Sequence, residues 1–260
     1  METYNTFALT SWEEFKEIAN HGLLEWVYRG QSKASWPINS SLFRSKIIDN
    51  FDEVESSMLN QFKKISKFYL KGSQQPKSLV DWLALLQHYG APTRLIDFTK
   101  SPYIAAFFAF ENEENTREPI AIWIANKNYF YQSTLYYLQK ENLENSSKIP
   151  GNIGDKTFKT IFELSKTGKH DLIVPLESKL YNERYYLQQS YFLSPVNPYK
   201  SFEKQLDFVV NLEKKEALIK LTIPRKERAK ALRDLEKMNI SRAFLFPGLA
   251  RFYKKFGFEI

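Results

Sequence analysis

The stretch Gln87–Phe110, QHYGAPTRLIDFTKSPYIAAFFAF, decides the fold that this sequence predicts. Gly90 suits the left-handed residue that closes a helix, and Pro92 prevents that helix from continuing. Ser101 followed by Pro102 is typical of a helix cap and a first helical residue. The stretch therefore predicts the end of one helix, a short strand and the start of a second helix.

The second helix of this stretch has no polar face, because Ile104–Phe110 contains only isoleucine, alanine and phenylalanine. We predict that it lies inside the domain. Its N-terminus would then be half-buried, with Arg94, Asp97, Thr99 and Ser101 crowded around it. A helix N-terminus favours an anion, and unpaired charges would be costly in such a place.

Composition narrows the class of protein. A chain of 260 residues fits one generous domain or two small ones, and we predict one. The chain has no cysteine, which excludes disulfides, thiolate nucleophiles and iron–sulfur clusters and favours a reducing compartment. The N-terminus lacks the pattern of a signal peptide, and no apolar run approaches membrane-spanning length. We therefore expect a cytoplasmic protein without a membrane partner.

The net charge is concentrated towards the C-terminus. Residues 200–260 hold 15 lysines and arginines against 8 aspartates and glutamates, a surplus equal to the whole net charge of +7. A solvated helix face is the ordinary interpretation of this surplus. A partner that carries phosphate, such as nucleic acid, is the alternative.

Hydrophobic periodicity places further elements around the central stretch. Ser11–Gly22 predicts a helix behind a capping box, and Leu24–Gln31 alternates as a central strand that carries Arg29 near its C-terminal end. The other predicted helices are Asp52–Leu70, Ser78–Tyr89, Tyr129–Lys140, Pro224–Met238 and Leu249–Phe256. The other predicted strands are Pro119–Ala125, Asp171–Leu176, Leu206–Leu212, Ala217–Ile223 and Ala243–Phe246, while Tyr181–Pro195 begins helical and ends extended.

The Asp52–Leu70 helix and the segment Gly151–Thr157 carry two further predictions. Val54, Met58, Phe62, Ile65 and Tyr69 are predicted to form the inward apolar stripe of the Asp52–Leu70 helix. The segment Gly151–Thr157, GNIGDKT, departs from a phosphate-binding loop and is predicted as a surface loop.

Strands and helices interleave without a regular repeat. The pattern predicts an α+β fold, a single mixed domain with a central sheet and flanking helices. We expect it to span residues 1–260, with a motif core at 24–110 and 181–250 and a variable polar insert at about 126–169.

Five segments carry a resemblance to a known family. They are YRGQ at Tyr28–Gln31, QHYGAPTRLIDFT at Gln87–Thr99, SPYIAAFFAF at Ser101–Phe110, RYYLQQSYF at Arg184–Phe192, and the ending LTIP followed by LFPGL. Together they resemble the FRG-domain family of bacterial and phage proteins over nearly the whole chain. The resemblance implies a role in conflict between bacteria and phages, in a defence or toxin system.

The chain also resembles the arginine-type ADP-ribosyltransferases. Tyr28–Gly30 corresponds to their NAD-binding strand, Asp97–Ser101 to the strand that braces the nicotinamide site, and Gln188–Phe192 to the strand that carries a catalytic glutamate. This resemblance implies an ADP-ribosyltransferase-like fold and NAD as the substrate. Gln189 stands where that family has its glutamate, and an amide cannot act as the charged partner. Either Glu183 serves instead, or the chemistry differs, or the site only binds.

The predicted catalytic residues are Arg29, Asp97 and Gln189. Arg29 either clamps its strand to the helix start through Asp97 or grips a phosphate with its two-pronged guanidinium. Arg94 and Asp97 form a second predicted pair that orients the pocket.

The predicted NAD-binding residues are Tyr28, Arg29, Gln31, His88, Arg94, Thr99 and Ser101. His88 acts either as a hydrogen-bonded structural residue or as an acid or base. Histidines and carboxylates nowhere show metal-ligand spacing, so no metal is predicted.

Two functions follow from these patterns. The first is an NAD-binding ADP-ribosyltransferase or NAD glycohydrolase that acts in bacterial defence or as a toxin. The alternative is a non-catalytic recognition module of phage defence, which binds nucleic acid or a phage protein through basic residues 200–260.

Overall fold

A seven-stranded mixed sheet forms the centre of the fold. The computed structural model describes residues 4–21, 25–45, 50–70, 75–112, 116–147, 152–178, 183–210 and 217–247. The strands are β1 Asn5–Ala8, β2 Trp26–Gln31, β3 Ile96–Thr99, β4 Ile120–Asn126, β5 Ile173–Leu176, β6 Ser190–Pro195 and β7 Leu218–Ile223. Their order is β1-β7-β4-β2-β3-β6-β5, so β2 is the middle strand. The pair β1 and β7 is parallel, and the other neighbours are antiparallel.

Helices flank this sheet, which confirms the predicted fold class. They are α1 Trp12–Asn20, α2 Ser41–Arg44, α3 Phe51–Ser66, α4 Leu79–His88, α5 Pro102–Phe110, α6 Lys127–Lys140, α7 Asp155–Ser165, α8 Glu183–Leu187, α9 Phe202–Val210, α10 Arg228–Lys237 and α11 Arg242–Leu245. Across the described ranges, none of these helices has the length and apolar character needed to span a bilayer.

Helix α5 packs directly on the backbone of β2 at Gly30. A Cβ atom added to Gly30 would lie 1.9 Å from the carbonyl oxygen of Ala105 and 2.7 Å from the nitrogen of Ala109. Ser101 caps the helix, since its hydroxyl accepts a hydrogen bond from the Ile104 nitrogen at 3.3 Å. Most of α5 is buried, as its uniformly apolar sequence predicts.

Three hydrophobic clusters form the core of the described residues, and two of them involve the helices next to the central stretch. Helices α1, α5 and α10 bury their apolar residues together against strands β4 and β7. Helices α3, α4 and α7 form a second group with β5 and β6. The chain between α4 and α5 therefore joins the two groups, and β3 lies within it.

Two predicted strands are wrong. Leu206–Leu212 was expected to be a strand, but α9 is a helix in which Phe202 and Leu206 are buried one turn apart. The predicted strand Ala243–Phe246 is instead the short helix α11. Short apolar runs fit either structure, and burial of one helical face decides here.

Two other predictions need adjustment. The segment Gly151–Thr157 is not loop throughout, because α7 begins at Asp155. The Asp155 carboxylate accepts a hydrogen bond from the Leu79 nitrogen at 2.6 Å and so joins the starts of α7 and α4. The predicted helix Leu249–Phe256 lies outside the described residues.

Candidate functional site

The middle strand β2 and its neighbour β3 separate beside a cleft of about 390 Å³. In the described part of the chain they pair only through Tyr28 and Thr99. Thr99 pairs in turn with Ser190 of β6. Helices α4, α5 and α8 supply the remaining walls, and the lining residues are Tyr28, Arg29, Gly30, Gln87, His88, Asp97, Phe98, Thr99, Phe108, Arg184, Tyr185, Gln188 and Ser190. The volume is in the range of small-molecule sites, roughly 300–1,000 Å³.

The Asp97 carboxylate is fixed by a chain of hydrogen bonds. The side-chain nitrogen of Gln87 donates to both carboxylate oxygens at 2.8 Å. The Gln87 amide oxygen accepts from the Thr93 hydroxyl, so the NH₂ end must face Asp97. The Thr93 nitrogen donates to the Ser41 hydroxyl oxygen at 3.0 Å. Helix α2 therefore helps to hold the carboxylate in one orientation.

The surroundings of Asp97 disfavour its negative charge. The side chain remains open to solvent within the cleft, but protein atoms replace much of the bulk water around it. This desolvation raises the pKa of Asp97 above its ordinary value, while the positive charges of Arg29 and Arg184 oppose the rise. A carboxyl group with a shifted pKa in a cleft is typical of a functional site.

Arg29 reaches across the gap between the two strands. Its Nη1 atom donates to the main-chain carbonyl oxygen of Asp97 at 2.7 Å. That carbonyl faces a position where β2 and β3 do not pair, so the arginine supplies the missing donor. Burial lowers the pKa of Arg29, opposed by Asp97, yet a guanidinium stays charged. The predicted clamp is thus present through the Asp97 carbonyl, and the same side chain lines the cleft.

Arg184 and His88 form a second polar group of the cleft. The Arg184 Nη1 atom lies 3.5 Å from Nδ1 of His88, and the guanidinium carbon lies 4.7 Å from the centre of the Phe246 ring. Burial, together with the positive charge of Arg184, lowers the pKa of His88. The imidazole is therefore neutral at pH 7. Because arginine only donates, Nδ1 is the acceptor and the ring proton belongs on Nε2.

Tyr185 closes the wall next to Arg184. Its hydroxyl donates to the Ala84 carbonyl oxygen at 2.5 Å. Burial raises the pKa of Tyr185 well above the usual value for tyrosine. The ring is therefore a fixed, neutral surface beside the charged groups.

Arg94 lies outside the cleft, and its partner differs from the predicted one. Its Nε atom is 2.6 Å from the Glu55 carboxylate, and both side chains are almost completely buried. Its Nη1 atom donates to the Ser165 hydroxyl at 2.8 Å, and the guanidinium stacks on Phe162 at 4.1 Å. Arg94 therefore joins α3, β3 and α7 in the core and does not pair with Asp97.

Gln31 and Ser101 are also used within the fold. The Gln31 amide accepts from Trp123 Nε1 at 2.5 Å and donates to the Pro37 carbonyl at 3.2 Å, and the side chain is buried. The Ser101 hydroxyl caps α5. Neither residue lines the cleft.

Gln188, and not Gln189, lines the cleft. The backbone of Gln189 has a φ of 49°, and its side chain is exposed. Gln188 is buried, and its main-chain oxygen accepts from the Thr99 hydroxyl at 2.7 Å. Glu183, the proposed substitute for the missing glutamate, is exposed at the start of α8 and does not line the cleft. The carboxylate in the cleft is that of Asp97.

Several lining residues were not singled out from the sequence, namely Gln87, Phe108, Arg184, Tyr185, Gln188 and Ser190. All six lie in the quoted motifs, whose individual positions were not assigned. Arg184 and Gln188 are one helical turn apart, and the Gln188 nitrogen donates to the Arg184 carbonyl at 2.9 Å. That i, i+4 spacing is the signal that places both on one side of α8.

The arginines of the basic C-terminal segment mostly contact the fold itself. Arg225 donates to the Glu118 carbonyl at 3.0 Å, and Arg228 donates to the Phe110 carbonyl at 2.8 Å. Arg242 forms an ion pair with the Glu111 carboxylate. Nucleic-acid binding through residues 200–260 stays a prediction, but these three arginines already have protein partners.

The chain is thus an α+β protein with a mixed sheet, in which β2 and β3 separate beside a cleft whose volume is in the range of small-molecule sites. Residues 24–118 match the FRG domain. The match includes Arg29, Gln87, His88, Asp97 and Thr99 of the cleft, and it ends before α8. It supports the resemblance to the FRG-domain family over these 95 of 260 residues, while the motif Arg184–Phe192 and the LTIP and LFPGL ending lie outside the match. No curated protein and no solved structure matches the chain, so the resemblance to ADP-ribosyltransferases has no support from these comparisons.

Proposed function

We propose that this FRG-domain protein binds NAD in the cleft and cleaves its nicotinamide glycosidic bond, as an ADP-ribosyltransferase or NAD glycohydrolase. One observation carries the proposal: two arginines, Arg29 and Arg184, act on a single carboxylate, Asp97, in one cleft. NAD needs both kinds of group, since it carries a diphosphate beside a ribose that becomes positively charged on cleavage.

Binding would use the two guanidinium groups for the diphosphate. Guanidinium and phosphate form short, paired hydrogen bonds that combine charge with fixed geometry. The rings of Phe108 and Tyr185 offer apolar walls for a flat heterocycle. The adjacent strands β2, β3 and β6 bring Tyr28, Thr99 and Ser190 into register beside the cleft.

The chemistry would depend on Asp97. The bond between C1′ of the ribose and the pyridinium nitrogen breaks, its electron pair neutralises the pyridinium, and nicotinamide leaves. The remaining ribose resembles an oxocarbenium ion, which a fixed carboxylate stabilises. Water or a nucleophile on a macromolecule adds at C1′ and gives up its proton to Asp97 or to solvent. Asp97 would thus supply the negative charge that a glutamate provides in the ADP-ribosyltransferases and that Gln189 lacks.

Release of nicotinamide from NAD by the purified protein, resolved by chromatography, tests this function. The key variant is Asp97→Asn, because an amide oxygen can still accept from Gln87 while the charge is lost. We expect nicotinamide release by the parent and a loss of about 100-fold or more in the variant, the effect of removing one electrostatic stabiliser. Glu177→Gln, an exposed carboxylate paired with Lys100, should release nicotinamide like the parent.

Two results would overturn the proposal. One is no nicotinamide release by a well-folded parent protein. The other is equal release by the parent and by Asp97→Asn. Expression in bacteria gives a second test of the effector role, since Asp97→Asn should relieve toxicity caused by the parent chain.

A further inference from the structure

The end of α3 and the turn that follows it expose apolar side chains, two of which, Ile65 and Tyr69, the sequence pattern assigns to the core. Ile65 is 56% exposed, Phe68 85% and Tyr69 78%. Tyr89, at the end of α4, is 67% exposed. We call Lys64, Ile65, Lys67, Phe68, Tyr69 and Tyr89 the α3–Tyr89 surface. The prediction that the apolar stripe faces inward is therefore wrong at Ile65 and Tyr69, which face solvent.

This surface is positively charged. Residues 60–70 contain three lysines, Lys63, Lys64 and Lys67, and no aspartate or glutamate. Lys63 lies 5.6 Å from the centre of the Trp82 ring, while Lys64 and Lys67 are exposed. Burial and the charge of Lys159 lower the pKa of Lys63, while Asp155, which pairs with Lys159 at 2.7 Å, opposes this shift.

The surface is continuous with the wall of the cleft. The Tyr89 ring lies 5.3 Å from the His88 ring, centre to centre, and His88 lines the cleft. The Tyr89 ring also lies 5.8 Å from the Phe62 ring of α3, centre to centre. A long ligand on this surface would therefore pass beside the cleft.

The arrangement of aromatic rings and lysines on this surface indicates which kind of partner it binds. An interfacial membrane helix keeps its apolar residues on one wide face and its charges on the other. Here Lys64 and Lys67 alternate with Ile65, Phe68 and Tyr69, while the inward residue Leu59 is already buried in the protein core. A second copy of the chain would oppose lysine with lysine. Interleaved rings and cations are typical of surfaces that hold single-stranded nucleic acid.

We propose that the α3–Tyr89 surface binds single-stranded nucleic acid. The lysines neutralise backbone phosphates, and Phe68, Tyr69 and Tyr89 stack on bases. This inference places the nucleic-acid contact on α3 instead of on residues 200–260, and it does not depend on what the cleft binds.

Fluorescence anisotropy of a labelled single-stranded oligonucleotide of about 20 nucleotides, with the full chain, tests the proposal. We expect the logarithm of the association constant to fall with the logarithm of salt concentration at a slope of about −1.4, as two phosphate contacts, by Lys64 and Lys67, predict. Lys64→Glu with Lys67→Glu should weaken binding at least about tenfold and flatten this slope. Phe68→Ala with Tyr69→Ala should weaken binding about tenfold or more at an unchanged slope.

Matched controls separate this surface from general charge effects. Lys226→Glu with Arg233→Glu makes the same charge change on two exposed residues, Lys226 just before α10 and Arg233 within it, and α10 packs in the other helix group. Phe7→Ala removes an exposed ring on the edge strand β1. Both controls should bind the oligonucleotide like the parent.

Three outcomes would overturn the proposal: no binding by the parent, equal losses in the α10 control, or binding to phosphatidylserine vesicles without binding to the oligonucleotide. Nicotinamide release is measured on the same variants and should be unchanged. A failure of the nucleic-acid proposal is therefore distinguishable from a failure of the proposed NAD chemistry.

Discussion

Gly30→Ala is the substitution that most directly probes how the fold builds the cleft. The new Cβ atom would lie 1.9 Å from the Ala105 carbonyl oxygen and 2.7 Å from the Ala109 nitrogen. Ordinary contact needs about 3.4 Å, so α5 would have to move by about 1.5 Å. Overpacking typically costs about 1–3 kcal/mol. Here both neighbours are helix backbone that cannot rotate away, so we expect a loss of at least about 3 kcal/mol.

Thermal and chemical unfolding measure this loss. For a chain of this size the melting temperature should fall by roughly 6–12 °C. Gly90→Ala is the control, because Gly90 has a φ of 87° and no described atom lies within 4 Å of its added Cβ. That variant should lose only the cost of the left-handed conformation, about 1–2 kcal/mol. If Gly30→Ala were no less stable than Gly90→Ala, direct packing of α5 on β2 would be refuted.

Two further predictions concern charged groups. Glu55→Gln leaves the buried Arg94 cation uncompensated and should cost about 3–5 kcal/mol in chemical unfolding. Glu177→Gln, which breaks the exposed pair with Lys100, should cost less than about 1 kcal/mol, and equal losses would contradict a core role for Arg94. For Asp97, desolvation within the cleft raises the folded-state pKa above its usual value of 3.8, so the protein should lose stability relative to Asp97→Asn as pH rises through that folded pKa. The unfolding free energies of the two proteins are compared from about pH 3.5 to pH 7, and the deficit of the parent relative to Asp97→Asn should increase with pH. A deficit that decreases with pH would show that the folded protein stabilises the carboxylate.

Much of the fold could be predicted from local sequence because the decisive signals are local. Ser101 and Pro102 start α5 where a cap and a first-turn proline predict, and the uniformly apolar sequence of α5 makes it a buried helix. The alternation in Leu24–Gln31 gives β2, which the sheet order places in the middle. The strands at Leu206 and Ala243 failed because short apolar runs do not distinguish strand from helix without their packing partners.

The candidate site was harder to predict because it depends on long-range pairing. Arg94 and Asp97 are three residues apart, yet Arg94 pairs with Glu55 in the core while Asp97 faces the cleft. The choice between Gln188 and Gln189 depends on a positive φ at Gln189. Local spacing predicts neither the Arg94–Glu55 pair nor the choice of Gln188, because both depend on how helices distant in the sequence pack against the sheet.

At the exposed end of α3, the local sequence pattern predicts more burial than the structure has. Its helical periodicity predicts an inward stripe, but the neighbouring elements cover only the N-terminal part of that stripe. Periodicity identifies an apolar face and does not say how far the rest of the protein extends along it. Ile65 and Tyr69 are therefore exposed.

Calorimetric titration of NAD into the parent protein, Arg184→Gln and Arg242→Gln tests the central claim most directly. Both arginines lie 4.7 Å from the centre of the Phe246 ring, but only Arg184 lines the cleft. We predict saturable binding by the parent and by Arg242→Gln, and a loss of about tenfold or more in Arg184→Gln, the value of a charged hydrogen bond. Equal affinity of Arg184→Gln and the parent, or no binding by the folded parent, would contradict the assignment of this cleft to NAD.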